Sequence, residues 1–137
     1  MVVALMSSFV GSISASAEEY GIQPRHNNIS IYDTSFQVLS ADSAELKVVY
    51  FATDAQNFTL AKITVEIQKQ SFWFIWTTVD IGTDNNKWST YSTDPNGRFN
   101  KTFSINGAGT YRAIIRLEFS GAGTGTDIIE ETIESTY

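Results

Sequence analysis

The segment NGAGTYRAIIRLEF, residues 106–119, carries more information about the fold than any other part of this 137-residue chain. From Tyr111 to Phe119 every second residue is apolar, and three of the four residues between them are charged. Successive side chains of a β-strand point to opposite faces of its sheet. The segment therefore predicts a strand with one buried face and one face toward water, as in an antiparallel sandwich.

The glycine-rich start of this segment matches a corner that precedes the sixth strand of immunoglobulin-type domains. In that corner a tyrosine turns its hydroxyl back onto the backbone, two residues before a cysteine. Tyr111 fits the role of the tyrosine, and Ala113 occupies the position of the cysteine. The alternative is a simple glycine turn followed by an ordinary aromatic residue of a strand.

The rest of the chain repeats the pattern of short apolar runs separated by Gly, Asn, Asp, Ser and Pro. A second alternating strand contains Ile63, Val65 and Ile67. The spacing predicts an all-β fold, an antiparallel immunoglobulin-like β-sandwich of seven to eight strands without a disulfide. The predicted strands are 28–39, 44–52, 60–69, 74–82, 88–92, 98–105, 110–119 and 127–136. Isoleucines in the last of these segments could instead mark a helix face, but its many β-branched residues favour a strand.

The first seventeen residues have the pattern of a secretion signal. Val2 to Val10 is an apolar run, and Ala15-Ser16-Ala17 is the small-x-small pattern after which signal peptidases cut. No Lys or Arg precedes the run, so either the signal starts further upstream or the start codon is misassigned. A membrane-spanning helix is excluded, because about nine apolar residues are too few for the roughly twenty that a span needs. The remaining alternative to a signal peptide is a disordered tail. We therefore expect a signal peptide (1–17), an N-terminal segment (18–27) and a sandwich domain (28–137).

Composition restricts the compartment and the partners. The chain has no cysteine, so a secreted form must be stabilised by its core and its hydrogen bonds alone. The net charge of −6 disfavours nucleic acid and anionic membranes as partners. We expect a secreted, extracellular protein whose partner is a protein or a carbohydrate of the cell envelope, with no membrane contact after cleavage of the signal.

Several short motifs occur in order along the chain. They are Ile22-Gln23-Pro24-Arg25-His26, the strand Lys62 to Lys69, Trp76-Thr77-Thr78-Val79, Gly109-Thr110-Tyr111-Arg112 and Ser135-Thr136-Tyr137. With these motifs the chain resembles an uncharacterised family of small secreted proteins from Gram-positive bacteria. The resemblance implies a single immunoglobulin-like domain and an extracellular location. It brings no known activity, substrate or catalytic residue.

Residues that could perform catalysis or bind metal are few. The single histidine, His26, lies near the mature N-terminus, an exposed place for a general base. Glu130 and Glu131 are adjacent, so on a strand they face opposite sides and cannot act as a pair. The oxygen-rich loop from Asp80 to Asn86 lacks the spacing of a calcium-binding loop. We predict no enzymatic activity, no metal site and no cofactor.

The strongest candidate for a contact surface is the hairpin between the predicted strands 60–69 and 74–82. Its turn contains Phe72, Trp73 and Phe74, here called the aromatic tip, although hairpin turns are normally small and polar. Pairing Ile67 with Ile75, or Ile63 with Ile81, keeps the isoleucines on the buried face. Either register places Trp76 on the opposite face, among Glu66, Gln68 and Thr78.

An exposed aromatic turn costs solubility and needs a reason. One reason is function, as a wedge that enters a pocket or a platform for a sugar ring; the other is structural, as a cap on the open end of the core. Trp88 and Tyr91 either extend this surface or belong to the core. The sequence favours a secreted non-catalytic binding module with candidate contact residues Phe72, Trp73, Phe74 and Trp76. The alternative is a structural envelope subunit that assembles through edge-strand pairing.

Overall fold

The computed structural model describes residues 27–137, which form eight β-strands. The predicted signal peptide (1–17), His26 and nearly all of the segment 18–27 lie outside the described residues. The strands are β1 (Ile29–Ser40), β2 (Ser43–Ala52), β3 (Phe58–Ser71), β4 (Ile75–Thr78), β5 (Trp88–Ser92), β6 (Asn96–Ser104), β7 (Thr110–Gly121) and β8 (Thr124–Thr136). Within this range there is no helix of the length and apolarity that crossing a membrane requires.

The strands form two antiparallel sheets. One has the order β1-β2-β6, and the other has the order β4-β3-β7-β8 with β5 paired to β3 as well. This division is that of the immunoglobulin fold, in which strands A, B and E share one sheet and strands C, F and G share the other. The predicted immunoglobulin-like sandwich is confirmed, and the helical alternative for the last segment is wrong, because β8 pairs with β7 from Thr136 back to Thr124.

The core lies between the sheets and follows the predicted alternation. Ile63, Val65 and Ile67 of β3 are fully buried, as are all five odd-numbered residues from Tyr111 to Phe119. The facing sheet contributes Leu46, Val48 and Tyr50 of its central strand β2. Burial of these side chains is the main favourable contribution to folding in a chain without disulfides.

The tyrosine corner is present as predicted. The Tyr111 hydroxyl lies 2.8 Å from the carbonyl oxygen of Asn106 and 2.7 Å from that of Gly107, so its proton is shared between two acceptors. Gly107 has a φ of 88°, in the left-handed region that favours glycine. Ala113 is fully buried at the position of the missing cysteine. The corner thus ties the β6–β7 connection to the start of β7.

Side chains close the sandwich along the seam between the edge strands β1 and β8. The backbone N–H groups of Asn27 and Asn28 donate to the two carboxylate oxygens of Asp127, at 2.9 and 2.7 Å. Further along, the Val38 N–H donates to the Ser135 hydroxyl at 2.9 Å. These bonds cover the two edges on this side of the molecule, and no sequence pattern had indicated them.

The β3–β4 hairpin differs from the sequence-based prediction in length and register. The strand predicted at 74–82 is shorter in the structure, where β4 spans only Ile75–Thr78. The observed register pairs Ser71 with Ile75 and Gln68 with Thr78. Both predicted registers are wrong, because β3 continues to Ser71 and the turn takes only three residues. Each predicted register differs from the observed one by an even number of residues, so every side chain of the hairpin strands still lies on the predicted face of the sheet. Ile75, predicted to be buried, is exposed because it lies beyond the end of the core.

Candidate interaction surface

The aromatic tip is held away from the body of the domain by the length of β3. The last pair of β3 with β7 joins Lys69 to Tyr111, whereas its pairing with β4 runs on to Ser71. Two residues of β3 and the three-residue turn therefore extend past the last residue pair of β3 with β7. The hairpin carries the aromatic tip as a projection at this end of the sandwich.

The backbone of the tip is in a conformation that aromatic residues rarely adopt. Phe72 has a φ of 32° and Trp73 a φ of 59°, both in the left-handed region. The turn is closed by a hydrogen bond from the Ile75 N–H to the Phe72 carbonyl oxygen at 3.1 Å, and the Gln70 side-chain amide donates to the Trp73 carbonyl oxygen. Such a conformation costs about 1–3 kcal/mol per residue and is concentrated at functional sites. Glycine or asparagine would stabilise this turn better than Phe and Trp do.

The three rings of the tip are in solvent. Phe72 is 80% exposed, Trp73 and Phe74 are 83% exposed, and the neighbouring Ile75 is 60% exposed. The interpretation of the tip as a cap on the core is therefore wrong. This end of the core is occupied instead by the buried side chains of Tyr111 and Ile105. Four consecutive apolar residues exposed to water are unusual in a folded domain that has no partner for them.

Trp76 is on the outer face of the sheet, as predicted, and is not part of the exposed tip. The guanidinium of Arg112 stacks on its ring at 4.2 Å from the centroid. Arg112 Nε also donates to Gln68 Oε1 at 2.7 Å. One face of the indole is thereby covered, and the hairpin is tied to the central strand β7. Trp76 supports the hairpin and offers at most one free face to a ligand.

A groove lies beside the hairpin, between β4 and the end of β6. Its volume is about 590 Å³, and its lining includes Thr77, Val79, Asp80 and Ile105. Lys69 Nζ donates to the Asn106 carbonyl oxygen at 2.6 Å on the same side of the molecule. The groove opens where β4 and β6 face each other without a strand between them. The sequence did not indicate this groove, because its two walls lie about 25 residues apart in the chain.

The other two candidate aromatics do not extend the tip. Trp88 packs edge-on against Phe103, with ring centroids 5.8 Å apart, and covers the core. Tyr91 is exposed, but β5 pairs with the opposite half of β3, from Ala61 to Val65. Apart from the tip, the exposed aromatic residue at this end is Tyr137, which is 59% exposed and whose N–H donates to the Gly109 carbonyl oxygen of the tyrosine corner.

The adjacent carboxylates Glu130 and Glu131 face opposite sides, as predicted. Glu130 pairs with Arg116 at 2.9 Å on the exposed face. Glu131 accepts hydrogen bonds from the hydroxyls of Thr34 and Tyr32 in the seam between β1 and β8. Burial raises the pKa of Glu131 above its usual range, and these hydrogen bonds offset part of the rise. Residues 27–137 contain no group of three or more His, Cys, Asp or Glu side chains placed to hold a metal ion.

No family model, curated protein or solved structure matches this chain. The resemblance to small secreted proteins stays a prediction. The class that the structure defines is that of a small immunoglobulin-like β-sandwich with a projecting aromatic hairpin.

Proposed function

We propose that this protein is a secreted, non-catalytic binding module that contacts a protein or a carbohydrate of the cell envelope through its aromatic tip. One observation carries the proposal: Phe72, Trp73, Phe74 and Ile75 are consecutive and all exposed at the end of a projecting hairpin. An exposed apolar patch of this kind marks an interaction site in a soluble domain. The left-handed backbone of Phe72 and Trp73 supports the same conclusion, because a turn selected only for stability would not place aromatic residues there.

The absence of catalysis and the extracellular location are parts of the proposal that rest on the sequence. A single histidine and no cysteine leave few groups for acid–base or nucleophilic chemistry. The small-x-small pattern at Ala15–Ala17 supports export. N-terminal sequencing of protein from the culture medium should then begin at Glu18. Protein that keeps Met1 and stays in the cytoplasm would contradict this part.

Binding to isolated cell-wall sacculi of a Gram-positive bacterium tests the contact surface. We expect the purified domain to co-sediment with sacculi, and Trp73→Ser to weaken retention by at least ~30-fold, because a central aromatic anchor contributes roughly 2 kcal/mol or more. Tyr91→Ser is the matched control, since Tyr91 is also an exposed aromatic but lies away from the tip. Equal retention of both variants, or no retention of the wild type, counts against an envelope ligand.

The structural alternative is an envelope subunit that assembles by edge-strand pairing. One observation favours it: β4 is the terminal strand of its sheet and has a strand on one side only among the described residues. An unpaired edge is a template for another strand.

A further inference from the structure

The free edge of β4 has hydrogen-bonding groups available to another strand. The Val79 N–H donates to the Ile67 carbonyl oxygen at 2.8 Å, so the backbone groups of Val79 point toward β3. Because these groups alternate in direction along an antiparallel strand, those of Trp76 and Thr78 point away from β3. Within residues 27–137 no strand lies on that side. The edge can therefore form a further ladder without disturbing the existing one.

This edge lacks the features that normally prevent pairing between molecules. From Gln70 to Val79 there is no charged residue, no proline and no glycine, and most residues have a high β-propensity. Natural edge strands are protected by charges, prolines or bulges. By contrast, β6 carries Arg98 and Lys101, and the edges of β1 and β8 cover each other through side-chain hydrogen bonds. Pairing is thus least opposed at β4 and at β5, which likewise has neither charge nor proline, and of these two edges β4 is the one that adjoins the aromatic tip.

We infer that a second copy of this chain occupies the β4 edge, forming a two-fold symmetric dimer in which the aromatic tip of each copy packs beside the groove of the other. The inference rests on the proposed function of the tip as a contact surface. It identifies the protein that the tip contacts as a second copy of this chain. In a two-fold interface the same patch is present on both sides, so it must be complementary to itself.

The β4 sequence meets this requirement in a register centred on Thr77. Trp76 of one copy then lies opposite Thr78 of the other, and these are the residues whose backbone groups point outward. Ile75 of one copy lies opposite Val79 of the other, which lines the groove. The exposed Ile75 is thereby placed against an apolar neighbour on the same face of the extended sheet. The aromatic tip follows directly and runs past Val79 and Asp80 of the second copy.

The area available is sufficient for a specific interface. A buried Phe or Trp contributes about 150–250 Å², so three rings that are at least 80% exposed offer roughly 400–600 Å² per copy. Two tips, with the surface that they cover, reach the ~1,200–2,000 Å² that specific protein interfaces bury. A four-residue ladder alone would fall short of this range, so the tips are needed for a stable dimer.

Charge substitution at the symmetry axis tests the inference on the whole secreted chain, without any ligand. Thr77 is exposed, and its two copies would lie side by side at the axis. We expect the wild type to show a reversible monomer–dimer equilibrium in sedimentation velocity at concentrations up to about 1 mM. Thr77→Lys and Thr77→Glu, each alone, should weaken the dimer by at least ~30-fold, because like charges directly opposite repel. An equimolar mixture of the two variants should restore a heterodimer.

A wild type that remains monomeric overturns the inference, and so does a Thr77→Lys variant that dimerises as the wild type does. Thr132→Lys is the matched control, since Thr132 is an exposed threonine on β8, at the other edge of the same sheet. Trp73→Ser should also weaken the dimer. Loss of retention on sacculi by Trp73→Ser in a chain that never dimerises would leave the proposed function standing and the inference refuted.

Discussion

The ring of Tyr50 lies directly against the backbone of Gly97, the residue opposite it on β6, so closely that a β-carbon at Gly97 would overlap the ring. Tyr50 cannot easily move away. Its ring packs against Phe119 with a centroid distance of 5.0 Å, and its hydroxyl donates to the Asp94 carbonyl oxygen at 2.7 Å. The packing of Tyr50 on Phe119 joins the two sheets at the end of the molecule opposite the aromatic tip. Gly97 is required beside Tyr50 because any side chain there would overlap the ring.

Gly97→Ala should therefore destabilise the domain by about 1–3 kcal/mol, the usual cost of adding a methyl group to a packed core. Urea unfolding measures the change. Gly125→Ala is the control, because Gly125 has open space around it and a backbone conformation that alanine can adopt; it should stay within about 0.5 kcal/mol of the wild type. Equal stability of the two variants would show that Tyr50 relaxes away from the new methyl group.

Substitutions of Tyr111 separate the hydrogen bond of the corner from the packing of the ring. Tyr111→Phe keeps the buried ring and loses the bond to the Asn106 and Gly107 carbonyl oxygens, at a cost of about 0.5–1.5 kcal/mol. Tyr111→Ala also leaves a cavity and should cost about 3–5 kcal/mol. Thermal melts of both variants check the order. If the two melted together, the ring would contribute nothing beyond its hydroxyl.

Trp73→Ala should leave the free energy of unfolding within about 0.5 kcal/mol of the wild type, because the ring is 83% exposed. Its melt is best compared with that of Tyr111→Ala, a buried aromatic on the adjoining corner. A fall of several kcal/mol would mean that Trp73 packs onto the core in solution. The tip would then be a structural element, against the function proposed for it.

Glu131 should make stability depend on pH. Burial raises its pKa in the folded state, so the folded protein holds this proton more tightly than the unfolded chain does. Stability is therefore lost as the pH rises from the usual range of a Glu pKa through the raised value. Glu131→Gln keeps an acceptor for Thr34 and Tyr32 but has no charge to bury, so its stability relative to the wild type should increase across this window.

Urea unfolding of both proteins between about pH 4 and pH 8 gives the comparison. Glu130→Gln is the control for loss of a carboxylate, because Glu130 forms an exposed ion pair with Arg116, a kind of pair that contributes only about 0–1 kcal/mol. Parallel pH profiles for the wild type and Glu131→Gln would contradict the assigned burial.

Much of the fold could be predicted from local patterns. The period-2 alternation at Ile63–Ile67 and Tyr111–Phe119 identified strands and their buried faces, because side chains alternate along any strand whatever its partner. The glycine-rich corner before Tyr111 predicted the immunoglobulin-like topology, since its hydrogen bond joins residues only four and five positions apart. The aromatic tip could be recognised for the same reason: its residues are adjacent in the chain.

Relationships between distant residues were decided by the tertiary structure alone. The register of β3 and β4 follows from how far β3 runs past the core, which alternation does not specify, because a shift by two residues preserves every face. The bond from Thr34 to Glu131 joins residues 97 positions apart and leaves no periodic trace. Exposure of the tip likewise depends on where the two sheets end. Sequence patterns record which face of a strand is buried; which strands meet, and what remains uncovered, is set by the packing of the two sheets.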